Sequence, residues 1–421
     1  AEEHPELDTV EKLLERPDLF PYAEDESKGA FVGCPAGWGC QLVNANLFRA
    51  FDMEEKGWVL VDPGSAAGLD GSMAKAADRG EPWFGYYWSP TSMIGKYNMV
   101  MLPFEAEFAA YCGTKHALAT TNGTTALHLA LLAAGVGPGD EVITTPFSFF
   151  SSASSIRMAG AKPVFVDLES DGYCLDPAAV AAAITPRTKA VMPVHLYGEL
   201  CDMDALREAC DTVPIIEDAC QAHGADAGGR AGSHGLAGCF SFYPTKNMTT
   251  GEGGMVTTDD DDVAAAVAQL RAHGQGERYE HLQLGFNYRM TDIAAAIGRV
   301  QLRKLDGYNA ARRANAQRYS AELADCVQVP GARRGHVFHQ YTIQSDARDA
   351  LREHLAARDI GNGISYPSLL YEARPLAEFA APTPRAAALP ARVLSLPVHP
   401  GLSEEDVGTV IDAVRDFAPT A

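Results

Sequence analysis

Lys246 follows the apolar run Gly238-Cys-Phe-Ser-Phe242 and precedes the turn Gly251-Glu-Gly-Gly254. That spacing puts its amine near the end of a buried strand, where the backbone can approach a ligand closely. A lysine there is desolvated, loses its proton more easily and can attack an aldehyde. The ordinary alternative is a solvated surface lysine. Other strand-end motifs bear on the choice. Thr121-Asn-Gly123-Thr124-Thr125-Ala126 lies between a strand and a helix. Its free N–H groups and hydroxyls form either a site for a phosphate monoester or an ordinary threonine N-cap. Asp218, in Ile216-Glu-Asp218-Ala-Cys-Gln221, is an acid at a buried strand end and needs a positive partner. That partner is either a protonated pyridine nitrogen or an arginine. Ser241 can add a hydroxyl to the phosphate. Phe149, in Pro146-Phe-Ser-Phe149, either stacks on a flat ring or packs in the core. Phosphate site, acid for a pyridinium, amine for an aldehyde and stacking aromatic are what pyridoxal 5'-phosphate requires.

The elements that must position these residues alternate in type. Strands are expected at 116–119, 141–144, 163–166, 190–194, 213–216 and 238–242. Helices are expected at 105–111, 124–134, 151–159, 178–184 and 203–210. This order implies an α/β fold with a mostly parallel sheet covered on both faces, and ligands at the carboxyl ends of the strands. The acidic run 259–262 opens a helix at 263–270 and reads as N-terminal capping, with no metal required. Segments 293–301 and 304–323 read as a pair of helices, followed by a smaller α+β region with strands at 341–343 and 392–396. The first hundred residues differ in composition: they hold all four tryptophans, Trp38, Trp58, Trp83 and Trp88. They read as mixed α/β, with helical segments near 13–20, 44–51 and 72–77 and a strand at 58–61. The expected division is 1–102, 103–290 and 291–421.

The chain has 421 residues, 47% of them hydrophobic and 21% charged, enough for a large core. A net charge of -21 argues against nucleic acid or an anionic membrane as partner. No apolar run is long enough to span a bilayer. The nine cysteines show no zinc-knuckle spacing. Seven lie between Cys112 and Cys326, as expected of reduced thiols in the cytoplasm. Cys34 and Cys40 bracket a tight Gly/Pro loop and are either a small disulfide or two free thiols.

From about Phe104 to Phe417 the chain resembles the DegT/DnrJ/StrS family of sugar-nucleotide aminotransferases. The resemblance rests on Gly139-Asp-Glu-Val-Ile143, Gly160-Ala-Lys-Pro-Val-Phe-Val-Asp167, Glu217-Asp-Ala-Cys-Gln-Ala-His-Gly224, Ser241-Phe-Tyr-Pro-Thr-Lys-Asn247 and Gly285-Phe-Asn-Tyr-Arg-Met290. It implies the aspartate-aminotransferase type of fold (fold type I) and a cofactor aldehyde held by Lys246, which also shuttles protons. It further implies Asp218 on the pyridine nitrogen and Gln221 at the phenolic oxygen. Gly123, Thr124, Thr125 and Ser241 would serve the phosphate, and Asn287 would reach the phosphate of a neighbouring subunit in a homodimer with shared sites. The implied reaction passes an amino group from glutamate or glutamine to a keto sugar, usually nucleotide-linked. Ahead of that region, Gly33-Cys-Pro-Ala-Gly-Trp-Gly-Cys40, Val61-Asp-Pro-Gly-Ser65 and Glu81-Pro-Trp-Phe-Gly-Tyr-Tyr-Trp-Ser-Pro90 resemble part of the glycine betaine/proline betaine binding proteins of ABC importers. That resemblance implies a cation–π cage, with Trp38 and Trp88 as its candidates. It stands where the aminotransferases carry a further segment of their own. The alternatives to an enzyme are therefore a betaine binder or a fusion without catalysis.

Overall fold

The computed structural model describes residues 10–35, 39–85, 104–276, 279–331 and 333–417. The chain divides into two compact units, one built on 1–102 and the other on 103–421 apart from the short segment 276–280.

The first unit contains α1 (Val10–Leu14), β1 (Pro21–Tyr22), β2 (Asp25–Val32), α2 (Gly39–Ala50), β3 (Trp58–Val61) and α3 (Ala66–Arg79). Its sheet has the order β1-β2-β3, antiparallel between the first two and parallel between the last two. The opening of β2 is Asp-Glu-Ser-Lys, a polar stretch without strand alternation, and the sequence reading passed over it. Helix α3 is longer than expected because Ser65 caps it, accepting from the N–H of Gly68 at 3.0 Å, and Gly80 ends it in the left-handed region at φ 67. Leu14, Phe31, Met53 and Trp58 form its core, and the Trp58 ring meets Phe84 edge-on at 5.3 Å. Cys34 is disulfide-bonded. Trp38 and Trp88, the cage candidates, lie outside the described residues.

The second unit begins with α4 (Phe104–Cys112), β4 (His116–Thr120), α5 (Gly123–Ala133), β5 (Glu141–Thr144), α6 (Ser151–Met158) and β6 (Lys162–Phe165). It continues with α7 (Pro177–Ala183), β7 (Thr188–Met192), α8 (Met203–Cys210), β8 (Ile216–Asp218), β9 (Ala237–Ser241), β10 (Gly254–Thr258) and α9 (Asp261–Leu270). Strands β6-β5-β7 pair in parallel, and β4-β10-β9-β8 form a second group. Parallel bridges Val191↔Ile215 and Val194↔Asp218 join β7 to β8. The result is one sheet of order β6-β5-β7-β8-β9-β10-β4. It is parallel except at β10, which runs antiparallel to both its neighbours. This is the mostly parallel α/β sheet expected.

Two expectations are corrected here. The strand placed at 213–216 is found at β8, two to three residues on. Pro214 has no N–H for a ladder and contributes only its carbonyl, to Val191 N at 2.9 Å. The helix pair is one continuous helix, α10 (Asp292–Leu323), 32 residues long. Leu302, Leu305, Asn309, Arg312, Ala316, Tyr319 and Leu323 are buried along it at steps of three and four, so one stripe runs unbroken through the expected joint. Its first half packs into the core of Phe104, Phe108 and Phe242. Its second half packs with β11 (Tyr341–Gln344), α11 (Arg348–Ala356), β12 (Val393–Leu396) and α13 (Glu404–Phe417); a short α12 (Pro384–Ala388) lies between α11 and β12. Strands β11 and β12 form an antiparallel pair of their own.

Candidate active site

The three strand-end motifs meet in space. A methyl group placed on Gly123 would lie 2.7 Å from Ser241 Cβ and 2.9 Å from Cys220 Sγ. The start of α5, the end of β9 and the turn after β8 are therefore in contact, and only glycine fits between them.

Asn122 caps α5: its side chain accepts from Thr125 N at 3.0 Å, while Asn122 N donates to Thr125 Oγ1 at 3.2 Å. This capping box occupies both the N–H and the hydroxyl of Thr125, which is buried. Thr124 differs. Its hydroxyl pairs with Ser151 Oγ at 2.7 Å at the start of α6, and it is half-buried. Thr124 and the free first-turn N–H groups thus present donors at a helix N-terminus, the arrangement that favours an anion.

Asp218 ends β8 and is 4% exposed. One carboxylate oxygen accepts from Ser152 Oγ at 2.7 Å and the other from Cys220 N at 3.2 Å. Among the described residues no arginine or lysine forms an ion pair with it, so the arginine reading is not met. A buried carboxylate without a cation is costly. A protonated pyridine nitrogen supplies the missing charge, and the site fits pyridoxal 5'-phosphate on this ground. Gln221 is held at both ends of its amide: Oε1 accepts from Tyr197 N at 2.8 Å, and Nε2 donates to the Tyr366 hydroxyl at 3.0 Å.

Lys246 follows β9, its N–H donating to Tyr243 O at 3.0 Å in a tight turn. Burial lowers the pKa of its ammonium, and the nearby Cys220 and Asp218 offset this only in part. Its amine is thus readied as a nucleophile beside the acid. His223 is fully buried between Phe240 and Phe242, at ring distances of 5.4 and 5.7 Å. Burial, with the charge of Lys246, lowers His223 to about 3, so it stays neutral and adds no competing charge. The next residue, Asn247, is fastened by Nδ2 to Asn309 Oδ1 of α10 at 2.8 Å and to Val337 O at 3.2 Å.

Ser241 is buried at the end of β9, opposite Gly254 of β10. Phe149 is 56% exposed in the loop after β5, with its ring 6.2 Å from that of Tyr366. It is not a core residue. Asn287 is exposed and accepts from Arg289 Nη2 at 3.2 Å. Sequence reasoning missed Ser151, Ser152, Tyr197 and Tyr366. The serine-rich run Ser148–Ser155 after β5 was the available signal for the first two.

The profile of the DegT/DnrJ/EryC1/StrS aminotransferase family matches residues 92–415. The chain belongs to the DegT/DnrJ/EryC1/StrS aminotransferase family. Within this family it is similar to GDP-perosamine synthase of Caulobacter vibrioides, 44% identical over 344 residues, covering 77% of this chain and 91% of that one. The fold is similar to S. venezuelae DesV in complex with a ketimine intermediate, with a TM-score of 0.74 and 40% identity, covering 84% and 95% of the two chains. It is also similar to NtdA from Bacillus subtilis with bound cofactor PMP, with a TM-score of 0.70 and 30% identity, covering 74% and 75%. The cofactor of this aminotransferase is pyridoxal 5'-phosphate. A second profile, the substrate binding domain of the ABC-type glycine betaine transport system, matches residues 1–161. It overlaps the aminotransferase match from residue 92, and the described part of that overlap forms α4 to α6 of the aminotransferase sheet. Among the described residues no helix is long and apolar enough to cross a membrane.

Proposed function

We propose that this aminotransferase moves an amino group from glutamate or glutamine to the keto carbon of a nucleotide-linked sugar, with Lys246 and Asp218 as its catalytic pair. The observation that carries this reading is the Lys246 amine, desolvated by burial, in the field of a buried Asp218 that forms no close ion pair with an arginine or lysine among the described residues. When bound, pyridoxal phosphate supplies an aldehyde for an amine and a ring that withdraws electrons. Lys246 would hold the aldehyde and carry the proton. Asp218, oriented by Ser152, would keep the pyridine nitrogen protonated. Gln221, fixed by Tyr197 and Tyr366, would serve the phenolic oxygen. Gly123, Thr124 and Ser241 would hold the phosphate, with Thr125 in the cap of the same helix. Phe149 would stack on the ring.

Residues 103–290 serve as the cofactor-binding part and 291–421 as the smaller part. A second copy of the chain completes the site through Asn287. Exposed Tyr279, Leu282, Leu284, Ile293 and Ile297 surround Asn287 in sequence and support that reading. The cytoplasm is the place of work this chemistry favours, in keeping with seven free cysteines. The relatives' names support a nucleotide sugar as acceptor. The test is to incubate the cofactor-loaded protein with glutamate and a panel of keto-sugar nucleotides. Formation of 2-oxoglutarate together with an amino sugar is expected. If amino acids release 2-oxoglutarate but none of the sugars is aminated, the acceptor class is wrong.

A further inference from the structure

Helix α6 opens with two serines that depart from the habit of serines in helices. A serine at a helix start usually caps the free N–H groups, and one further in bonds back to a carbonyl of the preceding turn. Ser155 follows that habit, donating to Ser152 O at 3.3 Å. Phe150, which precedes the helix, makes no side-chain cap. Ser151 and Ser152 nevertheless reach outward. Ser151 Oγ pairs with Thr124 Oγ1 at 2.7 Å, 27 residues back in the chain. Ser152 Oγ donates to Asp218 Oδ2 at 2.7 Å, 66 residues on. One helical turn thus touches both the threonine of the anion site and the buried acid.

Behind Ser152 stands Ser148, with the two hydroxyl oxygens 2.9 Å apart. Ser148 and Ser152 are 3% and 1% exposed. The direction of this line follows from counting hydrogens. A serine hydroxyl has one, and an ionised carboxylate only accepts. Ser152 gives its hydrogen to Asp218, so in its contact with Ser148 it accepts and Ser148 donates. Hydrogen bonds in such a line polarise one another, and both point at the Asp218 charge. The other carboxylate oxygen accepts from Cys220 N at 3.2 Å. Donors to a carboxylate favour its charged form, so a proton shared with a ring nitrogen rests on the nitrogen.

We propose that the first turn of α6 sets the spacing of the cofactor's two anchors. Ser152, with Ser148 behind it, is a positioning residue for the ring nitrogen through Asp218. Ser151 is a positioning residue for the phosphate through Thr124. The inference rests on the cofactor roles given to Asp218 and Thr124 above. Successive side chains on a helix diverge by about 100°, so one rigid turn can hold two separate groups at a fixed distance.

The test titrates the full chain, freed of cofactor, with pyridoxal phosphate and with its 1-deaza analogue, in which a C–H replaces the ring nitrogen. Both dissociation constants are read by fluorescence, and their ratio cancels any general loss of folded protein. The parent should prefer pyridoxal phosphate, and Asp218→Asn should lose that preference. Ser152→Ala should weaken pyridoxal phosphate by about tenfold and leave the analogue within about twofold of the parent. Ser148→Ala should act in the same direction by about threefold and add nothing in the Ser152→Ala background. Ser151→Ala should weaken both ligands alike. A Ser152→Ala chain that loses affinity for both ligands equally, or for neither, would overturn the nitrogen arm while leaving the role of Asp218 intact. An Asp218→Asn chain that keeps the parent's preference would remove that role and the serine line with it. Ser151→Ala without a common loss would overturn the phosphate arm.

Discussion

At the scale of residues the account rests on a lysine whose amine is made less basic by burial and an acid whose charge awaits a partner. Lys246→Ala should lower amino transfer by at least about 10³-fold, since it removes both the nucleophile and the proton carrier, while the melting temperature stays close to that of the parent. Asp218→Asn should cost roughly 10²–10⁴-fold in kcat, because an amide cannot hold the pyridine nitrogen protonated. Capture of the cofactor aldehyde needs the neutral amine. The folded pKa of Lys246 is lowered from the ordinary 10.5, so the capture rate should rise with pH and level off below 10.5. Linkage has a definite sign here. Between the folded and the unfolded value the unfolded chain binds more protons, so the cofactor-free protein should gain stability as pH rises through that window. Lys246→Met should remove the slope. The paired residues within one motif were legible in the sequence because each sits at a strand end marked by glycine or an abrupt change in polarity. Their supports were not. Ser152 reaches Asp218 across 66 residues and Tyr366 reaches Gln221 across 145, and no local pattern encodes such a contact.

At the scale of elements, the site exists because the ends of β8 and β9 and the start of α5 are pressed together. Gly123→Ala should open that contact and weaken cofactor binding by about tenfold or more, read as a fluorescence titration. Glu217 secures the same corner from behind. Its buried carboxylate accepts from the N–H groups of Gly232, His234 and Gly235 and pairs with the buried His195 at 3.0 Å. Glu217→Ala should destabilise the fold by about 3–5 kcal/mol in a denaturant titration, because it leaves those donors buried without an acceptor. The alternation of strands and helices from β4 to α8 was legible because each strand is a short apolar run between turn signals. Strand β10 was hidden by the glycines that precede it. The unity of α10 was hidden because Arg303 and Lys304 interrupt the apolar pattern on its exposed side, while the buried side continues.

At the scale of the whole molecule, among the described residues one core is centred on Trp58 and the others draw on residues from Phe104 onward. A chain lacking 1–102 should therefore still capture the cofactor. Exposed Leu284 and Leu282, 95% and 61% accessible, are apolar surface of the kind that a second copy covers. Light scattering should report about twice 45.0 kDa, and Leu284→Asp should shift the protein toward monomer and weaken cofactor retention with it.

The most direct test of the central claim is to load the protein with pyridoxal phosphate, reduce it with borohydride and locate the added mass by peptide sequencing. The cofactor should be found fixed to Lys246, with one equivalent per chain, and be absent from Lys246→Ala. A cofactor that washes away after reduction, or one fixed to a different lysine, would contradict the account.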